Sequence, residues 1–356
     1  MASFLTDRVR QFHRDHPICD MLGLNLTHPR FLLDDIDLGQ RDATTRRGDF
    51  PKFKDWGLSV VMCKGGAAHY DDNFKAFWKD DPTRRPGRAS EDMFLSLAIK
   101  NATQLVLGGL DRFLLNVEAH PDQVVLVRTA ADLERARGAG KIALLMGANR
   151  SDWFGDCPGI LRMFARLGLR MITLGQATRE LGYDASNETR SGGRMTALGV
   201  RMIEEMNRCG MLIDLAHTND PCALDIIEVS ATPVVDSHSN PRTLEEGDRS
   251  APDEVMKALA ARGGMLGIVP QISRPPGDAP MLQAPPAEEI EQTLRMIRYA
   301  VDLMGIDAVG IGTHFNSMAI PWITEALLEA GFSAADSAKI MGGNYLRVLR
   351  QVLPQD

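Results

Sequence analysis

Residues 234–242 read VVDSHSNPR: an apolar pair, the polar triplet Asp236-Ser237-His238, and then the turn-forming pair Asn240-Pro241. A short β-branched run that stops at a polar cluster is the pattern of a buried parallel strand delivering side chains to a site. Residues 211–220, MLIDLAHTND, repeat that shape and end on His217. Outward from these two, further short apolar runs occur at 18–20, 58–62, 142–146, 170–174, 265–269 and 308–311, which makes eight in all.

Most of the runs are separated by helical stretches. Residues 197–209 (ALGVRMIEEMNRC) place apolar side chains at three- and four-residue spacing and stop at Gly210, a common C-terminal stop. Residues 288–304 repeat the pattern, with acidic residues in the first turn that suit the helix dipole. Strands alternating with helices predict an α/β chain with a parallel sheet. Eight such units in one chain predict a (β/α)8 TIM barrel, read as a single domain over 1–356. The exception is 64–141. It carries the polar stretch HYDDNFKAFWKDDPTRRPGRAS and then a helical pattern from about 91 to 117, and reads as a mostly helical insertion after the second strand.

Composition narrows the function classes. The chain has 356 residues, 44% hydrophobic and 24% charged, with a formal net charge of −7. An acidic balance argues against a nucleic-acid partner, which requires a basic footprint. No apolar run approaches the ~20 residues of a membrane span, and the start, MASFLTDRVRQFHRDHP, lacks the apolar core of a signal peptide. A cytoplasmic protein acting on a small molecule is the expectation; a homo-oligomer is compatible with it. The five cysteines form no C-x-x-C pair and read as reduced.

In such barrels the active site lies at the C-terminal ends of the strands. That rule selects Asp20, Asn149, Gln176, Asp214, His217, Asp236, His238 and His314. Three of the chain's eight histidines fall in this set, and histidines converging on one mouth point to metal binding or acid–base chemistry.

The stretches LIDLAHTND, PVVDSHSNPR, GDRSAPDEVMKALAARGGMLGIV and KIMGGNYLRVL resemble the renal (membrane) dipeptidase family of the amidohydrolase superfamily. The resemblance implies a barrel and, in active members, a dizinc centre that hydrolyses dipeptides. It also exposes departures. The family's first strand ends in an Asp-Gly-His-Asn-Asp pattern that supplies two ligands, where this chain has Asp20-Met21-Leu22-Gly23-Leu24. The bridging Glu of the third strand is Asn149, a substrate-contacting His is Gln176, and the catalytic Asp after the last strand is His314. His217 and His238 persist as the histidines of the other metal, and Arg249 matches an arginine that contacts substrate.

Leucine offers no ligand, and a neutral amide cannot bridge two cations, so the usual dizinc site is not expected. Two readings stay open. In one, His217, His238 and His314 hold a single zinc ion with water in the fourth position, and Asp20 or Asp236 serves as general base. In the other there is no metal, and the histidines, His238 and His314 among them, act as acid and base or merely hydrogen-bond. Arg249, Gln176 and Asn149 are the expected substrate contacts. The functional expectation is a dipeptidase-like hydrolase acting on a peptide or amide bond of a small carboxylate-bearing molecule. The alternatives are a lyase or isomerase using histidine acid–base chemistry, and a non-catalytic binding homologue.

Overall fold

The computed structural model describes residues 5–25, 37–41, 48–64, 102–175, 179–188, 190, 192–273 and 284–356. Nine strands form one sheet: β1 Cys19–Asn25, β2 Val60–Lys64, β3 Val124–Val127, β4 Ile142–Asn149, β5 Met171–Thr173, β6 Leu212–Asp214, β7 Val235–Ser239, β8 Met265–Ile268 and β9 Val309–Ile311. Eight of them follow one another in chain order, from β1 through β2 and β4 to β9, and every pairing is parallel. Helices run between successive strands, among them Ala197–Arg208 and Ala287–Met304, close to the stretches expected from periodicity. This is the barrel-type parallel sheet that the eight apolar runs predicted. Among the described residues, no helix is long and apolar enough to cross a membrane.

The described part of the insertion holds helices Ala102–Ala119 and Ala130–Gly138, and also β3 between them. The region is thus mostly helical, as expected, and adds one strand that pairs β4 beside the main path of the sheet. The physical reason lies in β5, which has only three residues and pairs with Gly147–Asn149. The lower part of the same β4 edge, Ile142–Leu145, is paired instead by VVLV of β3. Two short strands therefore share one edge, and its backbone groups find partners.

Side-chain alternation sorts the strands into two packed layers. Met21, Val60, Met62, Leu145, Met171, Leu212, Val235 and Met265 belong to an inner cluster together with Tyr345 of the last helix, Asn344–Val352. The Tyr345 hydroxyl lies 3.8 Å from the sulfur of Met171 at the start of β5, so this helix plugs the N-terminal end of the barrel. Val61, Cys63, Leu144 and Ile213 face the larger outer core, where the surrounding helices pack. Glycines let the wall close tightly around β7: a Cβ at Gly267 would come within 2.2 Å of the Ser237 carbonyl oxygen, and one at Gly312 within 1.8 Å.

The sheet has two weak seams. β6 and β7 share a single registered pair, Asp214 with Val235, and β9 meets β1 with no registered pair among the described residues. Carboxylates sew both. Asp20 Oδ1 accepts the backbone N–H groups of Leu22 and Thr313, each at 3.0 Å. Its Oδ2 accepts the hydroxyls of Thr313 (2.5 Å) and Ser317 (2.6 Å). A backbone bond from Phe315 N–H to the Leu22 carbonyl (2.9 Å) completes that seam. Asp214 repeats the device: Oδ1 accepts Ala216 N–H (3.1 Å) and Ser237 N–H (2.8 Å), and Oδ2 accepts the hydroxyls of Ser237 (2.7 Å) and Thr173 (2.5 Å).

Replacing Asp20 with alanine strands four buried donors at once. At ~1–3 kcal/mol for each donor left unsatisfied, with partial relaxation, Asp20→Ala is expected to destabilise the protein by about 3–5 kcal/mol. Urea unfolding of the variant and the parent measures this. A change below about 1 kcal/mol, the scale of an ordinary surface substitution, would remove Asp20 from the role of barrel clasp.

Candidate active site

The inner-face alternation that builds the core continues upward into the mouth. Val60 and Met62 of β2 lead to Lys64, Ala143 and Leu145 of β4 lead to Asn149, and Met171 of β5 leads to Thr173. Leu212 of β6 leads to Asp214, and Val235 of β7 to Ser237. Period-two geometry thus sets Lys64, Asn149, Thr173, Asp214 and Ser237 on one inner ring at the C-terminal strand ends. All five are buried.

Three histidines cluster above this ring. His217 Nε2 lies 3.2 Å from His238 Nε2, and the His238 ring stacks on His314 with centroids 5.3 Å apart and planes inclined by 19°. Both His217 (φ 68°) and His314 (φ 51°) sit in the left-handed backbone region, as do Arg150 and Phe315. That conformation is uncommon for residues other than glycine, and such strain gathers at functional sites. Each of the four follows the end of a strand, where the chain reverses to begin its return path.

The hydrogen bonds fix the protons. The Ser237 hydroxyl donates to Asp214 Oδ2, so its oxygen accepts from His238 Nδ1–H at 2.7 Å. That leaves a lone pair on His238 Nε2. Arg249 Nη2 lies 3.3 Å from His217 Nε2, and a guanidinium can only donate. The single lone pair of His217 Nε2 is therefore turned to Arg249, and the His238 Nε2 lone pair lies 3.2 Å from the same nitrogen. Burial, and then the charges of Lys64, His217, His314 and Arg249, hold the His238 pKa well below its usual range, so its own ring stays neutral.

Charge in the mouth is unusually dense for a buried space. Desolvation pushes the Asp236 carboxyl up to about 8, with the nearby Asp214 adding to the shift. The same burial lowers Lys64 to about 8, and partial desolvation also lowers Arg249, an exposed residue. A small cavity of ≈ 10 Å³, about the size of one water molecule, lies between His217, Thr218, Asp236 and Arg249. Thr218 Oγ1 and Asp236 Oδ1 are buried without a described hydrogen-bond partner, as is Asn149 Oδ1.

Set against the sequence expectations, the structure brings His217, His238, His314 and Arg249 into one array and buries Asn149 beside it. Asp20 is present but spent: both of its oxygens are taken up by the β1–β9 seam. Gln176 lies outside the described residues. Trp153, four residues beyond Asn149, belongs to the core. It is 1% exposed, packs on Phe154 and Phe164, and donates its indole N–H to the carbonyls of Asn149 and Arg150. Lys64 escaped the sequence reading. The available signal was a lysine ending an otherwise apolar run, VVMCK.

A metal centre is poorly served by this donor set. Leu22 and Leu24 are fully buried hydrophobic residues in the two core clusters. Among the described residues, no group of three or more His, Cys, Asp or Glu side chains could hold a metal ion. The expected three-histidine set does lie close together, with His217 Nε2 3.2 Å from His238 Nε2 and the His238 and His314 ring centroids 5.3 Å apart at 19°. Lys64 and Arg249 further oppose a dication. The residues present do not fit the two-zinc group of the family.

The model of the membrane dipeptidase family (peptidase family M19) matches residues 48–354. The dipeptidase tcpJ of Claviceps purpurea is 31% identical over 250 residues, 66% of this chain and 57% of that protein. The dipeptidase verJ of Clonostachys rogersoniana is 29% identical over 281 residues, 75% of this chain and 70% of its own. The alignment thus spans little more than half of the first relative. Among solved structures, the probable dipeptidase PvdM from Pseudomonas aeruginosa superposes with a TM-score of 0.76 at 20% identity, over 97% of each chain. A metallo peptidase from Rhodobacter sphaeroides superposes with a TM-score of 0.71 at 20% identity, over 95% of this chain and 99% of its own. At these identities the superpositions speak for the fold.

The Asp236 shift has a consequence for stability. A carboxyl raised from 3.8 to about 8 keeps its proton in the folded state. Its contribution is therefore complete below the unfolded value and is lost as pH rises through about 8. Asp236→Asn removes that titration. Melting temperatures of the two proteins between pH 5 and 8.5 should show the parent losing ground to the variant as pH rises; parallel curves would contradict the assignment.

Proposed function

The chain belongs to the membrane dipeptidase family, and on that premise we propose that it is a hydrolase with a remodelled active site. It cleaves a peptide or amide bond in a small substrate that bears a carboxylate. The observation that carries this reading is the His217–His238 nitrogen pair at 3.2 Å, with Arg249 3.3 Å away on one side and the Ser237–Asp214 relay behind it.

Arg249 pairs with the substrate carboxylate through charge-assisted hydrogen bonds. Asn149, whose buried Oδ1 has no described partner, accepts an N–H of the substrate. Water attacks the carbonyl carbon as its proton passes to the lone pair of His238 Nε2. The imidazolium that forms is stabilised through His238 Nδ1–H, the Ser237 hydroxyl and the Asp214 carboxylate. The same proton then goes to the leaving nitrogen as the C–N bond breaks, in general acid–base fashion. His314, stacked on His238, holds that ring in place. Because the donor set does not suit a metal pair, no step is assigned to one, and at most one transition-metal ion per chain is expected.

A non-hydrolytic lyase or isomerase is the second reading. It is favoured by the same donor set, since a histidine pair moves protons without needing an activated metal-bound water.

Ordinary dipeptides are expected to be cleaved far more slowly than by dizinc members of the family. Loss of one general acid–base group alone costs ~10²-fold or more. His238→Ala should abolish whatever turnover a panel of dipeptides and N-acyl amino acids reveals, whereas Arg249→Ala should mainly raise KM. Elemental analysis of the purified protein supplies the second check. Two tightly held zinc ions per chain with vigorous zinc-dependent dipeptide cleavage would overturn the remodelled-site reading.

A further inference from the structure

Lys64 stands where a lysine is costly. It closes the apolar strand β2, is 2% exposed, and by strand alternation points to the barrel's inner face above Val60 and Met62. Its registered neighbours are Asn25 on one side and Gly147 on the other. Gly147 carries no side chain, and the Met62 sulfur lies 3.0 Å from where its Cβ would stand. Burying an unpaired ammonium costs several kcal/mol, and a lysine with only a packing role is readily replaced by an apolar residue.

The surrounding carboxylates neutralise it incompletely. Asp214 acts on it most strongly, yet both Asp214 oxygens already accept two hydrogen bonds each. Asp236 also acts on it. Arg249 adds a second positive charge to the same space. Lys64 in turn is the strongest single charge acting on His238, ahead of His217. The mouth thus joins a buried cation, Lys64, to an exposed one, Arg249, beside the His217–His238 pair.

We propose that Lys64 is a catalytic residue whose ammonium contacts the scissile carbonyl oxygen and stabilises the oxyanion formed there. The proposal rests on the hydrolytic reading of the site and supplies the positive charge which metal ions provide elsewhere in the family. As water adds to the carbonyl carbon, its proton moves to the His217–His238 pair and the π electrons of the carbonyl pass to oxygen, facing Lys64. When the C–N bond breaks, those electrons re-form the carbonyl and the histidine pair protonates the departing nitrogen. Charge that develops against a preorganised buried cation is stabilised far more than in water.

The test separates an oxyanion from a carboxylate. A phosphinate mimic of a dipeptide carries both a tetrahedral anion and a carboxylate, whereas the parent dipeptide carries only the carboxylate. Calorimetric binding to the protein as purified, with its metal content measured alongside, should favour the phosphinate. Lys64→Met is expected to erase that preference by ~10²-fold, the usual cost of removing one oxyanion donor, while dipeptide affinity changes little. Equal weakening of both ligands would make Lys64 a carboxylate anchor and overturn the proposal, as would a parent protein with no phosphinate preference. Unchanged melting temperature guards against misfolding, and Lys64→Gln replaces the methionine variant if that one is unstable. The hydrolytic reading fails separately: a phosphinate preference dependent on Lys64 without turnover on the substrate panel would leave Lys64 as an anion site in a non-hydrolytic protein. Turnover on the panel that survives Lys64→Met within twofold would sink the lysine and keep the hydrolase.

Discussion

Two buried carboxylates hold this barrel together where its backbone ladder is weakest. Asp20 joins β1 to the segment after β9, and Asp214 joins β5, β6 and β7, each by accepting two backbone N–H groups and two hydroxyls. Parallel strands ordinarily close a barrel through their own N–H and C=O groups. Here side-chain oxygens perform that task at two seams, and they do so at the level of the functional mouth. Structure and chemistry therefore share atoms: the Ser237 hydroxyl that anchors β7 to Asp214 also receives His238 Nδ1–H. A change that loosened either seam would move the histidines with it.

The electrostatics of the mouth follow from this frame. A ring of polar and charged residues sits directly on a plug of methionines, leucines and Tyr345, so the low dielectric of the core reaches the site. Acids there are driven towards their neutral forms and bases hold their protons less tightly, as Asp236, Lys64 and His238 show. The leucines at 22 and 24 and the amide at 149 add no charge to that environment. The left-handed backbone at His217 and His314 is part of the same design, since it turns both rings back over the mouth immediately after their strands end.

Much of this was legible in the chain itself. Apolar runs ending in polar residues set the strand order, because burial on both faces demands continuous hydrophobicity and a strand end demands its loss. The strand-end rule then selected His217, His238, His314, Asn149 and Asp214 without coordinates. The quoted motifs placed the chain in its family, and the substitutions at Leu22, Leu24 and Asn149 marked where it departs from it. Strand β3 was missed because four valine- and leucine-rich residues between two helices carry no period that distinguishes them from a helical or loop segment.

What sequence could not decide was how the selected side chains are used. Asp20 and Asp214 look alike as strand-end acids, and only the tertiary structure reveals that both are consumed as clasps. The three histidines look alike as ligands, yet packing stacks His238 on His314 and turns His217 edge to edge with His238. Lys64 looks like the polar end of a strand until the fold encloses it. The cause is common to all three. Residue type and spacing fix which groups reach the mouth, because strand direction and period are local properties. Their protonation, orientation and partners depend on atoms contributed by distant strands, which meet only when the barrel closes.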